Sequence, residues 1–184
     1  ILGNRYLIDV DKFSYDYESN IKPQTFSKKF VEYDNVYRFK DEIFRNIAQH
    51  INLEEQIYSN FLEDDLIRKH ITFLILRDVN RKSWNLWDNE FQNYNDNLFD
   101  KLLNENKNLV NFHVLTQYEF FNQWKSLKQY ANKKNVKILG DIPIYVNHDS
   151  ADVWLKQNMF EIDENNEMEY VSGAVPDSFN LEGQ

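Results

Sequence analysis

The sequence predicts an α/β fold in which helices predominate. A long helical pattern over residues 112–132 leads directly into a compact apolar block, as expected of a buried parallel strand that follows a helix. A short segment near the start alternates between apolar and polar residues, which predicts a second strand. The apolar positions are Val136, Ile138 and Leu139 in the block and Tyr6, Ile8 and Val10 in the alternating segment. With 42% hydrophobic and 16% aromatic residues, the 184 residues suffice for the core of one domain.

Helices are predicted to follow the first strand, after a loop that extends to about Phe30. Apolar residues at helical spacing predict a helix over residues 33–47. Asn52 is placed to cap the next helix, with Glu55 at the reciprocal position of a capping box. Apolar periodicity carries that helix toward Val79.

A loop rich in Asn and Asp is predicted over residues 77–97. Trp84 and Trp87 are interpreted as aromatic anchors packed beneath this loop, with a sugar-facing role as the alternative. A short helix is predicted over residues 98–109, before the long helix over 112–132.

The last part of the chain carries two local signals. Ser150 precedes the sequence ADVW and is interpreted as a helix cap, not as a nucleophile, because no Gly-x-Ser-x-Gly motif surrounds it. The acidic run over residues 161–169 lacks the glycine and the spacing of a calcium loop, which favours a solvated turn.

Composition excludes several classes of function. A formal net charge of −9 and a pI near 4.9 disfavour binding to nucleic acid or to anionic membranes. No apolar run approaches the roughly 20 residues of a membrane span. The chain has no cysteine and no glycine-rich nucleotide loop, and no His-Glu-x-x-His pattern occurs. We therefore expect a cytoplasmic protein without a metal or other cofactor.

Asp141 is the residue that the pattern singles out for chemistry. It directly follows Gly140, the last residue of the apolar block. In barrels of alternating strands and helices, the carboxyl ends of the strands form the active face, and Asp141 stands at that end of the predicted strand. From the residues alone, a substrate-facing carboxylate and a carboxylate that caps the following turn are equally good interpretations.

Several motifs resemble, in order, those of the amylomaltases, the 4-α-glucanotransferases of glycoside hydrolase family 77 in the α-amylase clan. They are GNRYLID from Gly3, VEYDNVY from Val31, SWNLW from Ser83, QW..LK.YA from Gln123, GDIPIYV from Gly140, DSADVW from Asp149 and VPDSF...GQ from Val175 to Gln184. The resemblance runs almost end to end and is densest after Phe112. It implies a partial (β/α)8 barrel with helical insertions, here divided into a helical insertion region with an initial strand, residues 1–111, and a helix, barrel strand and active-site loop, residues 112–184.

The resemblance also implies an activity. The enzyme breaks an α-1,4 bond, holds one glucan piece covalently and transfers it to glucose or another glucan, with maltooligosaccharides as substrates. Such retaining chemistry needs a nucleophilic carboxylate and an acid/base carboxylate about 5 Å apart. In the family both follow the GQ motif, so this chain is expected to be part of a longer protein and to be inactive alone. The alternative is a non-catalytic glucan-binding or regulatory relic of the family, and the oligomeric state is not assigned.

The resemblance assigns supporting roles to five residues. Asp141 matches an aspartate that faces the sugar and orders its neighbours, without being the nucleophile. Asp177 and Phe179 match a loop that arches over the cleft, and Gln184 matches the end of that motif. Tyr37 matches a tyrosine at a second glucan site, with simple packing as the alternative.

The loop departs from the family pattern in two places. Val175 stands where the family commonly has the first of two prolines, and Ser178 stands where it commonly has an aromatic residue. We therefore expect a looser loop and a different range of acceptors. Trp154, in DSADVW, is interpreted as packing beneath the loop and not as a ligand.

Overall fold

The computed structural model of this chain describes residues 3–16, 24–141, 145–170, 173, 175, 176, 178 and 181. Its α-helices are α1 (Val10–Asp16), α2 (Tyr33–Ala48), α3 (Gln56–Leu62), α4 (Asp65–Asn80), α5 (Leu98–Glu105), α6 (Lys107–Lys133) and α7 (Ala151–Leu155). Short 3-10 helices cover Arg5–Leu7, Trp84–Leu86 and Gln157–Met159. Within these described ranges there is no strand, and one isolated antiparallel bridge joins Ile162 to Met168.

The hydrophobic core lies around α4 and the first half of α6. Helix α6 packs against α2, α3, α4 and α5, and α4 also contacts α7. Consecutive residues from Val110 to Gln117 are buried, whereas Leu127 and Tyr130 further along α6 are exposed. The first half of α6 is therefore the centre of the helical unit, and its second half is a surface in the described chain.

The predicted helices are confirmed in position, except that one of them is divided in two. The region predicted to form one helix from Asn52 to Val79 forms two, α3 and α4. Asp64 caps α4, because its Oδ1 accepts hydrogen bonds from the main-chain N–H groups of Leu66, at 3.0 Å, and Ile67, at 3.1 Å. The side chain of Asn52 instead accepts from Glu54 N at 3.1 Å, so Asn52 stabilises the turn before α3.

The strand predicted near the start of the chain is wrong. Arg5–Leu7 forms a 3-10 helix and α1 follows it. Among the described residues no strand lies beside this segment, which binds instead to glutamine side chains of α6. The side-chain amide of Gln117 accepts from Gly3 N at 2.8 Å and donates to Gly3 O at 3.0 Å. Likewise, the side-chain amide of Gln123 accepts from Asp9 N at 2.7 Å and donates to Asp9 O at 3.1 Å.

The buried strand predicted over residues 136–140 is also absent from the structure. These residues form neither helix nor strand, and Leu139 is 97% exposed. A parallel strand is stabilised by hydrogen bonds to neighbouring strands, and the described part of the chain supplies no such neighbour. The division of the chain at residue 111 stays a prediction, although α6 runs continuously across it.

The predicted tryptophan anchors are confirmed. Trp84 is fully buried, and Trp87 is 3% exposed. Trp154 is buried too, and its indole N–H donates to Phe91 O at 2.9 Å, which fixes α7 against the loop over residues 81–97. The packing of Trp154 beneath the loop around Val175 stays a prediction, because most of that loop lies outside the described residues. None of the described helices has the length and apolar character needed to span a bilayer.

Candidate functional site

Asp141 lies in the segment that leaves the end of α6, and its side chain is exposed. The direction of this segment is set by Asn135, which adopts the left-handed conformation with φ 58°. The N–H of Val136 then donates to Ala131 O at 2.9 Å, and the N–H of Asn135 donates to Asn132 O at 3.0 Å. This pair of bonds is a Schellman motif, so α6 ends abruptly at Lys133, before the segment that leads to Asp141.

Residues 148 and 149 are bound to the loop over residues 81–97, which we call the tryptophan loop because it carries Trp84 and Trp87. The indole N–H of Trp84 donates to His148 O at 2.7 Å. The main-chain N–H of Trp84 donates to Asp149 Oδ1 at 3.3 Å, and the Trp84 and His148 rings lie 5.2 Å apart. Ser150 then caps α7, as predicted, by accepting from Val153 N at 3.3 Å. The contacts of this segment therefore give the motif DSADVW a structural explanation that needs no ligand.

The same segment is also tied to the acidic turn over residues 161–169. His148 Nε2 lies 2.8 Å from Asn166 O, and because a carbonyl oxygen only accepts, Nε2 carries the proton and donates. Asn85, in the tryptophan loop, donates a hydrogen bond to Glu167 Oε1 at 2.7 Å. The run is a turn, as predicted, and Asp163 Oδ1 accepts from Glu167 N at 2.9 Å. Backbone hydrogen bonds lower the pKa of Asp163.

Tyr37 belongs to a cluster of three tyrosines on α2 and the N-terminal segment, which we call the tyrosine cluster: Tyr6, Tyr33 and Tyr37. The rings of Tyr6 and Tyr37 stack at 3.9 Å between centroids, and the ring of Tyr33 lies 6.0 Å from that of Tyr37. Tyr33 is 61% exposed, and Tyr37 is half-buried. The cluster thus offers aromatic surface to solvent, mainly that of Tyr33.

An ion pair holds the tyrosine cluster in place. Arg5 binds Asp41 through two hydrogen bonds, Nε to Oδ1 at 2.7 Å and NH2 to Oδ2 at 3.0 Å. Its guanidinium also donates to Tyr6 Oη at 2.6 Å and lies 4.5 Å from the centre of that ring. Burial acts to lower the pKa of Arg5, but the hydrogen bond and the charge of Asp41 outweigh it, so the pKa is raised. Burial raises the pKa of Tyr6, which therefore stays a neutral phenol.

Two of the five predicted site residues lie in the part of the chain that the structure describes. Asp141 and Tyr37 are described, whereas Asp177, Phe179 and Gln184 lie outside the described residues. The neighbouring loop residues Val175, Pro176 and Ser178 are exposed. The aromatic contacts of Tyr37 are with Tyr6 and Tyr33, and Asp141 belongs to a different part of the chain.

Sequence reasoning missed the partners of Tyr37, although a signal was present. Tyr33, Tyr37 and Asp41 follow one another at intervals of four residues, which places them on one face of a helix. Tyr6 and Arg5 join them through tertiary contacts that no local pattern reports. Exposed aromatic rings and phenol groups are suited to contact the apolar faces and the hydroxyl groups of sugars.

Comparison with known proteins gives one consistent result. The family model described as 4-alpha-glucanotransferase, of glycoside hydrolase family 77, matches residues 1–184. A 4-alpha-glucanotransferase of Clostridium butyricum is 36% identical over 194 aligned residues, which cover 99% of this chain and 39% of that protein. A 4-alpha-glucanotransferase of Aquifex aeolicus is 29% identical over 99% of this chain and 38% of its own length.

A solved structure agrees with the sequence comparisons. The amylomaltase from Streptococcus agalactiae, solved in complex with acarbose, matches with a TM-score of 0.80 and 26% sequence identity. The match covers 100% of this chain and 39% of that chain. The present chain therefore spans about two fifths of the length of the proteins that it matches.

Proposed function

The chain belongs to glycoside hydrolase family 77, whose model is described as 4-alpha-glucanotransferase, and on that premise we propose that it is part of an enzyme that transfers segments of α-1,4-glucans. The donor is a maltooligosaccharide or a longer α-1,4-glucan, and the acceptor is the 4-position of glucose or of another glucan. The observation that carries the proposal is the match over the whole chain to an amylomaltase solved with acarbose, at a TM-score of 0.80.

The proposed chemistry is a double displacement with retention at the anomeric carbon. One carboxylate attacks that carbon and forms a covalent glucosyl intermediate, while a second carboxylic acid protonates the leaving sugar oxygen. The second group then takes a proton from the hydroxyl of the acceptor, which attacks the intermediate. By the family pattern both carboxylates belong to sequence that follows the motif ending at Gln184, and the barrel to which this chain contributes is completed by the same sequence. We therefore expect residues 1–184 alone to be inactive.

The residues of this chain are proposed to position the glucan. The exposed carboxylate of Asp141 accepts hydrogen bonds from sugar hydroxyls and helps to fix the groups that react. Asp177, Phe179 and Gln184 contribute to a loop over the cleft that favours a sugar acceptor over water. The tyrosine cluster holds a more distant part of a long glucan, with Tyr37 at its centre. The cytoplasmic location also stays a prediction.

Incorporation of labelled glucose tests this proposal. The natural polypeptide that contains this chain is incubated with maltoheptaose and radiolabelled glucose, and the products are separated by length. We expect the label to appear in maltose and longer oligomers, because glucose accepts the transferred segment. Label that stays in glucose while the maltoheptaose is hydrolysed would contradict transfer. Label that stays in glucose with the donor bound but intact would support the non-catalytic alternative.

A further inference from the structure

A surface of concentrated positive charge lies on the second half of α6 and on the segment that follows it. Residues 122–140 contain five lysines and neither Asp nor Glu, so all 30 acidic residues of the chain lie elsewhere. The five lysines are exposed, and none of them forms an ion pair within the described chain. We call this surface the lysine face, and it consists of Lys125, Lys128, Lys133, Lys134 and Lys137.

The helix dipole explains only part of this pattern. A lysine in the last turn of a helix is stabilised by the partial negative charge of the C-terminus, and the effect is confined to about that turn. Lys133 lies in the last turn of α6, whereas Lys125 and Lys128 lie before it. Like charges at neighbouring positions of a helix repel each other. The fold of the described chain therefore gives no reason for these two lysines to stand together.

Apolar side chains stand among the lysines. The exposed fractions of Trp124, Leu127 and Tyr130 are 41%, 53% and 63%. Lys134 Nζ lies 5.9 Å from the centre of the Tyr130 ring. Exposed aromatic rings with charged groups around them are typical of a surface that another protein covers, where the rings are buried and the charges form the rim.

The acidic turn over residues 161–169 has the opposite charge. It contains five acidic residues and neither Lys nor Arg. Main-chain hydrogen bonds hold its two sides together, from Asp163 N to Glu167 O at 2.8 Å and from Glu169 N to Glu161 O at 3.1 Å. Tyr170, directly after the turn, is 73% exposed. The turn is therefore an ordered surface that presents negative charge beside an aromatic ring.

The lysine face and the acidic turn are complementary in charge and in number of charged groups. Among the described residues no ion pair joins the two within one copy of the chain. A nucleic acid is negative along its whole length and is repelled by the rest of this acidic chain. A second copy instead presents its acidic turn to the lysine face and its lysine face to the acidic turn, so that attraction arises on both sides.

We propose that the lysine face is an interface at which a second copy of this polypeptide docks through its acidic turn. The lysines bind the carboxylates of the turn, and Trp124 and Tyr130 are covered in the contact. In a twofold pair each copy contributes both surfaces, and the contact is made twice. This association is independent of the proposed function.

Charge reversal on either surface tests the proposal. Self-association of the natural polypeptide that contains this chain is measured by sedimentation equilibrium at low ionic strength. One variant combines Lys125→Glu with Lys128→Glu, and the other combines Glu164→Lys with Glu169→Lys. All four side chains are exposed, so the fold should tolerate the changes. We expect each variant to associate about tenfold more weakly than the wild type, because repulsion replaces attraction in the contact.

The matched control combines Lys28→Glu with Lys29→Glu. Both residues are exposed and lie outside the lysine face, and the net charge changes as much as in the variant of α6. The control should associate as the wild type does. Equal weakening in the control and in the variant of α6 would overturn the proposal, because net charge alone would then explain the effect.

An equal mixture of the two reversed variants provides the sharpest test. In the mixture, the reversed lysine face of one variant meets the reversed acidic turn of the other, so opposite charges face each other again. We expect the mixture to associate more tightly than either variant alone. A mixture that associates no more tightly than the separate variants would overturn the proposal.

Two measurements on the wild type need no variant. Its self-association should weaken about tenfold when the salt concentration rises from about 50 to about 500 mM, because salt screens the charges. A wild type that is monomeric at every concentration, or whose association does not respond to salt, would overturn the proposal. Binding of single-stranded RNA that Lys125→Glu with Lys128→Glu abolishes, with self-association unchanged, would overturn it in favour of a nucleic-acid partner.

Discussion

At the scale of single residues, Gly3 shows how closely the N-terminal segment approaches α6. Its main-chain N and O atoms are both bound to the amide of Gln117, at 2.8 and 3.0 Å. A methyl group at this position would overlap the ring of Phe120. The backbone cannot move away without breaking the bonds to Gln117, so only a residue without a side chain fits.

The variant Gly3→Ala should therefore destabilise the fold. We expect the free energy of unfolding, measured by urea denaturation, to fall by about 1–3 kcal/mol, as is usual when a packed site is overfilled. Gly140→Ala is the matched control, because nothing lies within 4 Å of the position of its added methyl group. Equal losses of stability in the two variants would show that the contact with Phe120 is not the cause.

His113 is a buried titratable group that links α6 to α4. Its Nε2 donates to Asp78 Oδ2 at 2.9 Å, and the ring is 2% exposed. Burial lowers the pKa of His113 from its ordinary 6.5, more than the hydrogen bond and charge of Asp78 raise it. Below pH 6.5 the unfolded chain therefore takes up a proton at this residue that the folded chain resists, and stability is lost as the pH falls.

Replacement of His113 should flatten the pH dependence of stability on the acid side. The free energy of unfolding should fall less between pH 7.5 and pH 5.5 in His113→Gln than in the wild type. The difference should grow by up to about 1.4 kcal/mol for each pH unit below the pKa of histidine in the unfolded chain. His70, whose pKa burial also lowers, keeps part of the drop in the variant. His50→Gln is the control, since His50 is exposed. A drop that is unchanged in His113→Gln would contradict this account.

Residue roles could be predicted where a local pattern carries them. Ser150 was recognisable as a cap from the sequence that follows it, and Trp154 as a packing residue. Asn135 was not recognised as the residue that ends α6, because Asn adopts the left-handed conformation only in certain contexts. The amide of Gln117 binds a residue more than a hundred positions away, and no local pattern predicts such a contact.

At the scale of elements, the start of α4 offers a direct comparison of the two capping assignments. Asp64→Ala removes two hydrogen bonds to main-chain N–H groups and should lower the free energy of unfolding by about 1 kcal/mol. Asn52→Ala, at the cap that the sequence pattern favoured, should change it by less than about 0.5 kcal/mol. Urea denaturation of both variants measures the difference. If the free energy of unfolding falls more in Asn52→Ala than in Asp64→Ala, the capping box predicted from the sequence would be supported and the capping role of Asp64 contradicted.

Most α-helices could be predicted from the sequence, but α1 lies in a segment predicted to be strand and loop, and neither predicted strand is present in the described chain. The spacing of apolar residues predicted a helix over 33–47, and α2 runs from Tyr33 to Ala48. A helix makes its hydrogen bonds within its own segment, so a local pattern suffices. Residues 136–140 carry the apolar composition of a buried strand, but a strand also needs partners from elsewhere, and Leu139 is exposed in the described chain.

At the scale of the whole molecule, the family follows from motifs spread along the chain, and the activity follows only by proposal. Seven short motifs in order predicted the family that the comparison confirms over residues 1–184. The site could be predicted less well, because Asp177, Phe179 and Gln184 lie outside the described residues. The tyrosine cluster is assembled from segments that only the fold brings together.

The rate at which maltotriose is converted into glucose and longer oligomers tests the central claim most directly. It is measured for the natural polypeptide that contains this chain and for its variants Asp141→Asn and Asp100→Asn, the latter an exposed control on α5. We predict a ladder of longer products from the wild type and the control. The rate should be about 10²–10³ times lower for Asp141→Asn, because in the role we propose for Asp141 a preorganised group at the reacting sugar is lost. A wild type that yields no product longer than maltotriose, or an Asp141→Asn variant as fast as the wild type, would contradict the account.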